Sequence, residues 1–269
     1  MQYHLSALEI LQILGYQPKQ ENHKLLEQFQ QKYNISLPKT YCEFMEYAFF
    51  CPLFETSNLW TIPNFLRMSY EDIAESVEEL KESDETIEET DPYYIFVQTP
   101  QEKWSELVCN YFLIGSDYGS GAVTFGIRSS DLGQDDPPIY WQHEMDDITY
   151  WRDDKQTLSQ FFVEVLLNIL SCLEYSTAED ALEEIGWRIE EYYDPEKDAW
   201  HTTIDELENF GIQYKQLQPY MALDGSSVYA CYEPEKKILY VIYQESAETI
   251  SIHAISPMDT ECVFDSPWN

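Results

Sequence analysis

Basic residues are scarce in this chain. Fifteen Lys and Arg stand against 50 Asp and Glu, a formal charge of −35 over 269 residues. A surface of that sign repels polyanions, which argues against nucleic acid or an anionic membrane face as a partner. Long apolar runs are absent as well. No window approaches the ~18 apolar residues of a membrane span, and the opening MQYHLSALEILQILGY has no basic n-region or small-residue cleavage site, so no signal peptide is read. Cysteine pairs of the C-x-x-C kind are lacking too. Cys42, Cys51, Cys109, Cys172, Cys231 and Cys262 are scattered, and thiols so placed are expected to be reduced and packed as small hydrophobes, with the cytoplasm as the expected compartment.

Each familiar enzyme constellation is also missing a part. The run from Gly115 to Gly121 (GSDYGSG) lacks the Lys-Ser/Thr of a phosphate loop and does not match G-x-G-x-x-G, so it reads as a hairpin turn. His143-Glu144-Met145-Asp146-Asp147 has Asp147 where a zinc-protease helix needs its second His. Asp224-Gly225 lacks the alternating oxygen ligands of a calcium loop. No G-x-S-x-G elbow occurs, and His4, His23, His143, His201 and His253 are dispersed. No metal or cofactor is expected. An acidic carbohydrate hydrolase stays open as an alternative, since two carboxylates suffice for glycoside cleavage and Trp60, Trp104, Trp141, Trp151, Trp187, Trp200 and Trp268 could stack on sugars. Those tryptophans read more naturally as core or interface anchors.

What the chain does have is apolar and aromatic content. Hydrophobic residues make up 44% and aromatics 15%, which describes a folded acidic protein and not a disordered tail. The charge is unevenly placed. Residues 1–70 hold six acids and five bases, residues 71–198 hold 33 and seven, and residues 199–269 hold eleven and three. Spread evenly, such charges would lie beyond the ~8 Å Debye length of one another and would matter little; clustered, they matter. The densest run is Glu71, Asp72, Glu75, Glu78, Glu79, Glu82, Asp84, Glu85, Glu88, Glu89 and Asp91, opposed by Lys81. Ser69 and Asp72 fit a capping box, and Tyr70, Ile73, Val77 and Leu80 form one apolar stripe, so the first part is expected to be a helix with its acids on the other side. Its carboxylates fall about one per ~3.4 Å of axis, roughly half the linear charge density of duplex DNA. Further acids gather at Asp131, Asp135, Asp136, Glu144, Asp146, Asp147, Asp153 and Asp154, and again between Glu174 and Asp198.

Periodicity predicts helices through Leu5 to Leu14 with Gly15 as a stop, over Glu21 to Tyr33 with Leu25, Leu26 and Phe29 buried, and from Pro38 with Tyr41, Phe44, Met45 and Ala48 inward. Tyr93–Gln98, Leu107–Ile114, Ala122–Ile127 and Ile139–Gln142 read as strands, and Thr157–Leu173 as a helix. Toward the C-terminus, Thr203 and Glu206 fit a capping box closed by Gly211, and residues 227–232, 238–243 and 249–255 alternate as strands. The expected fold is α+β, with helices packed on an antiparallel or mixed sheet. The expected organisation is a domain over 1–172, an acidic connecting segment over 173–200, and a small C-terminal α+β module over 201–269.

The run Leu25-Leu26-Glu27-Gln28-Phe29, followed by Leu37-Pro38-Lys39-Thr40-Tyr41-Cys42-Glu43-Phe44-Met45, resembles the opening of the SUKH superfamily. Phe112-Leu113-Ile114-Gly115-Ser116-Asp117-Tyr118-Gly119-Ser120-Gly121 is similar to that family's strand entering a Gly-rich turn. Ile139–Glu144 and the helix Thr157–Leu170 are similar to its closing strand and helix. The resemblance covers about residues 20–172. It departs at Ala48-Phe49-Phe50-Cys51-Pro52, where the family places Asn-Gly or Gly-Gly. The resemblance implies a non-catalytic protein: bacterial members are mostly immunity proteins that neutralise toxin domains, often nucleases, and fungal members are signalling adaptors.

On these grounds the expected partner is a basic protein, a toxin domain held by an acidic face. Its candidate residues are Glu75, Glu78, Glu79, Glu82, Asp84, Glu85, Asp135, Asp136, Asp146 and Asp147. An acidic adaptor or DNA mimic is the alternative within the binding class.

Overall fold

The computed structural model describes residues 1–54, 71–82, 93–104, 111–117, 123–143, 146, 150–171, 176–193, 199–221, 226–244 and 246–264. Two compact units are present. One comprises residues 20–45 and 58–158, the other residues 1–19, 46–57 and 159–269. The fold is α+β, and every strand pairing is antiparallel.

The first of these units sets helices against a four-stranded sheet. Its helices are α2 (Gln20–Tyr33), most of α3 (Lys39–Ala48), α4 (Glu71–Glu82) and the short α5 (Tyr94–Gln98). The strands β1 (Tyr111–Asp117), β2 (Val123–Arg128), β3 (Pro138–His143) and β4 (Arg152–Thr157) lie in chain order. The helix α2 ends at Asn34, which adopts φ 50°, a left-handed stop that Asn tolerates well. Tyr41, Phe44 and Met45 line the buried side of α3. Phe29 and Tyr41 meet Phe112 of β1 edge to face at ring separations of 6.1 and 5.2 Å, which docks both helices on the sheet. Leu25 departs from expectation: it is 42% exposed while Leu26 is buried, because a neighbouring residue on a helix points about 100° away.

Tyr93–Gln98 is a helix and not the expected strand. Its aromatic and β-branched residues favour strands only where a pleated surface receives them. Here Phe96 alone is buried, against Trp104 and Val77, and Thr99 turns extended (φ −106°, ψ 133°) ahead of Pro100, as the residue before a proline must. The strand β4 carries no apolar residue at all (RDDKQT); it exists through its pairing with β3, and Lys155 at φ 65° accompanies a register shift there. Gly115, Ser116 and Asp117, expected in a turn, continue β1 beyond a bulge, and residues 118–122 lie outside the described residues.

In the second unit, α1 (Ala7–Ile13) is capped by Ser6. The Ser6 hydroxyl accepts from the Glu9 amide while the Glu9 carboxylate accepts from the Ser6 amide. It continues through α6 (Leu158–Ser171, in the unit from Ser159 onward) and α7 (Ser176–Glu184). A six-stranded sheet follows: β5 (Trp187–Glu191), β6 (Thr202–Thr203), β7 (Tyr220–Met221), β8 (Ser227–Glu233), β9 (Ile238–Gln244) and β10 (Thr249–Pro257). Its order is β5-β10-β9-β8-β7, with β6 also on β10. Both faces of the central strands are buried. Ile250, Ile252 and Ala254 join Leu207, Ile212, Tyr240 and Phe264 in one core, while Ser251, His253 and Ile255 point the other way and are buried too. The segment Ile204–Phe210 is a 3-10 helix closed by Gly211 at φ 72°, without the expected side-chain cap from Thr203. The C-terminal segment is tied down by the Glu190 carboxylate, which accepts from the Val263 and Phe264 amides at 2.8 and 3.1 Å.

His253 has a buried Nδ1 that makes no hydrogen bond among the described residues, and burial lowers its pKa to about 4. Its cross-strand partners are Glu191 and Val241. Because an unfolded His titrates near ~6.5, the unfolded chain binds more protons between those values, and folding stability falls as pH drops from ~6.5 toward 4. His253→Leu should remove this component. Urea unfolding at pH 7 and pH 4.5 should show the wild type losing on the order of 2 kcal/mol more than the variant; equal losses would mean an imidazole that titrates as it does in water.

Candidate protein-binding surface

The acidic helix α4 is held by a small apolar anchor. Val77 is buried against Phe96 and Trp104, with Ala74 packed beside it. Those two rings meet edge to face at 5.6 Å and 87°. The Trp104 indole N–H donates to the Phe96 and Thr99 carbonyls at 3.1 and 2.9 Å, which fixes the plane that Val77 rests on. At ~100° per residue, Glu75, Glu78, Glu79 and Glu82 fall within an arc of about 100° opposite Val77, and all four are exposed. Ser69 and Tyr70, and the side chains of Asp72 and Ile73, lie outside what is described, as do Asp84, Glu85 and Asp147.

Asp135 and Asp136 stand exposed on the loop between β2 and β3. That loop is internally braced. Asp131 accepts from the Gln134 amide at its carbonyl (2.9 Å) and from the Gln134 side chain at its carboxylate (3.1 Å). The Asp135 carbonyl accepts from the Thr40 amide at 3.1 Å, and the Pro137 carbonyl from the Leu158 amide at 2.9 Å. The two carboxylates are therefore carried by a fixed backbone. Asp146 is placed differently. It forms a two-pronged ion pair with Arg152, one prong at 2.9 Å, and that guanidinium holds its carboxyl below the usual range. Asp154, on the next strand position but one, is half-buried, and burial pushes its carboxyl up.

Two arginines of this unit, Arg128 and Arg152, sit among aromatic rings. Arg152 lies over Trp141 at 4.5 Å and Tyr150 at 5.1 Å. Arg128 lies over Tyr140 at 4.4 Å. Tyr111 opposes Arg128 in the β1–β2 register, and Gly126 opposes Tyr140, so all four share one face of the sheet. Trp151 covers that face, stacked on Tyr111 at 4.2 Å and 14°. Sequence reasoning named Trp151 and Trp141 as anchors but did not bring Arg128, Tyr111 and Tyr140 together. The period-2 spacing of Tyr111 with Leu113 and of Gly126 with Arg128 is the signal that could have done so.

No helix among the described residues is long and apolar enough to cross a membrane, and none of their His, Cys, Asp and Glu side chains form a group of three able to hold a metal ion. What these surfaces offer is charge and aromatic contact area, the materials of protein recognition.

Residues 22–164 match the model of the SMI1 / KNR4 family (SUKH-1). That span is more than half of the chain, which therefore belongs to this family, a branch of the SUKH superfamily, whose members are characteristically non-catalytic interaction modules serving in immunity and as adaptors. No curated protein and no solved structure matches the chain significantly. At the point where the chain lacks the family's Asn-Gly or Gly-Gly, Phe50 adopts φ 54°. A phenylalanine thus holds a left-handed backbone conformation after α3, at a cost of about 1 kcal/mol.

Gly126 lies in close approach to its neighbours. A Cβ there would lie 3.0 Å from Trp151 Cζ3 and 3.2 Å from the Phe112 carbonyl oxygen. Gly126→Ala should lift Trp151 off Tyr111 and cost about 1–3 kcal/mol. Near-UV circular dichroism and a urea midpoint read both effects; an unchanged aromatic spectrum would mean that the stack tolerates the methyl group.

Proposed function

We propose that this chain is a bacterial immunity protein of the cytoplasm that binds a basic toxin domain, a nuclease being the leading class, and blocks it through its acidic face. The observation that carries the reading is the α4 stripe: four exposed glutamates at i, i+3, i+4 and i+7, presented by a helix whose opposite side is locked on Val77, Phe96 and Trp104. A nuclease holds phosphate with Lys and Arg, and a stripe of carboxylates competes for those groups and steers encounter. Asp135 and Asp136 are further exposed carboxylates of the same unit. Asp146 contributes less, since Arg152 already neutralises it. Family membership supports a binding role without catalysis.

The test pairs capture with rescue. The chain, used as bait in its native host at low and high salt, should retain a basic protein whose toxicity is relieved by co-expression. Replacing Glu75, Glu78, Glu79 and Glu82 together by Lys should then slow association about tenfold or more at low salt and flatten its salt dependence. Association rates equal to wild type at low salt would remove α4 from the docking face.

A further inference from the structure

The C-terminal sheet carries a cleft of about 710 Å³, within the range of ligand sites and remote in sequence from α4. Its apolar lining comes from Phe210 at the end of the 3-10 helix, Ile238 and Tyr240 on β9, and Val263. Tyr240 is only 2% exposed, yet its hydroxyl has no hydrogen-bond partner among the described residues. Burial, with Glu233 adding to it, keeps that phenol protonated. Tyr240 lines the cleft and its hydroxyl is not cut off from solvent, so a polar group of an occupant can replace water there.

The polar groups around the cleft divide into engaged and unengaged. The Thr260 hydroxyl donates to the Pro257 carbonyl at 2.6 Å, and the Asn209 amide to Glu206. Lys236 is paired with Glu233 at 3.2 Å. Glu235 and Glu261 are exposed and have no cation within ion-pair distance among the described residues. The mouth thus offers two uncompensated carboxylates over an aromatic and aliphatic floor.

We propose that this cleft binds a segment of a partner protein that carries an arginine or lysine beside an apolar side chain. The apolar side chain and the aliphatic stem of the basic one lie on Phe210, Ile238 and Val263. The cation meets Glu235 and Glu261, and the Tyr240 hydroxyl bonds a polar group of the segment. Long basic side chains suit such a site because stem and head have opposite solvation preferences, and the charge-assisted contacts at the mouth are the strong ones. This assignment is independent of the docking role given to α4.

The test uses the full chain and two synthetic peptides, Ac-Gly-Leu-Arg-Gly-NH2 and its Gln counterpart, at about 150 mM salt so that diffuse attraction is screened. Amide shifts in two-dimensional NMR should saturate with the Arg peptide and map to residues 236–238 and 260–263, with binding at least about tenfold weaker for the Gln peptide. Tyr240→Phe, which keeps the ring and removes the hydroxyl, should weaken binding roughly three- to tenfold at unchanged melting temperature, as should Glu261→Gln. The variant with Lys at 75, 78, 79 and 82 should bind the Arg peptide within about twofold of wild type, since at this salt exposed charges that do not touch the peptide are largely screened. This separates failure of the cleft from failure of α4. Shifts that map to residues 71–82 and not to the cleft, or affinities unchanged by both Tyr240→Phe and Glu261→Gln, would overturn the proposal.

Discussion

The acidic surface depends on a contact that carries no charge, the seat of Val77 on the Phe96–Trp104 pair. A twelve-residue helix is marginal alone in water, and α4 is worse than average. Its Glu75–Glu79 and Glu78–Glu82 pairs place like charges one turn apart, each costing a few tenths of a kcal/mol. Burial of Val77 contributes about 1.5–3 kcal/mol, enough to offset both repulsions. The same contact determines which way the glutamates face. Carboxylates on an unanchored segment would average over directions, and steering needs a field that stays put.

Much of this architecture is legible in the sequence, and the rest is not, for identifiable reasons. Helices α2 and α3 declared themselves through Leu26, Phe29, Tyr41, Phe44 and Met45, whose spacing matches one buried stripe. The strands β8, β9 and β10 do so through short runs rich in β-branched and aromatic residues, as strands buried on both faces should. The strand β4 could not, because RDDKQT has no apolar period; its pairing with β3 is a tertiary fact. Tyr93–Gln98 misled in the opposite direction, since its strand-like composition is overruled by a single buried ring, Phe96. In the candidate surface, the α4 stripe follows from helical arithmetic alone. The pairing of Asp146 with Arg152 does not, because β3 and β4 must first come together to place Arg152 over Trp141.

That pairing bears on how charge should be counted. A formal total of −35 treats every carboxylate alike, whereas the fold sorts them into kinds. Asp131 braces a loop, Asp146 is neutralised by Arg152, and Glu190 holds the C-terminal segment. Several of the described bases are spent locally, on rings and on nearby acids: Arg128 on Tyr140, Arg152 on Trp141 and Asp146, Lys236 on Glu233. What remains for a partner is the set of carboxylates without such a duty, and α4 holds four of them on one side of one element.

Charge and aromatic area do different jobs in recognition. Long-range attraction sets how often partners meet, and salt weakens it; close-range packing sets how long they stay. The α4 stripe has the first property and little of the second, since its exposed side is carboxylate throughout. The face that joins Tyr111, Arg128, Tyr140 and Trp151 has the second, with rings fixed by stacking and by the closeness that Gly126 permits. Tyr, Trp and Arg are the residues that dominate binding energy where interfaces have been dissected. A chain that uses its acids to attract therefore still needs surfaces of this composition to retain. In this unit the two described arginines, Arg128 and Arg152, are found where rings already hold them in place.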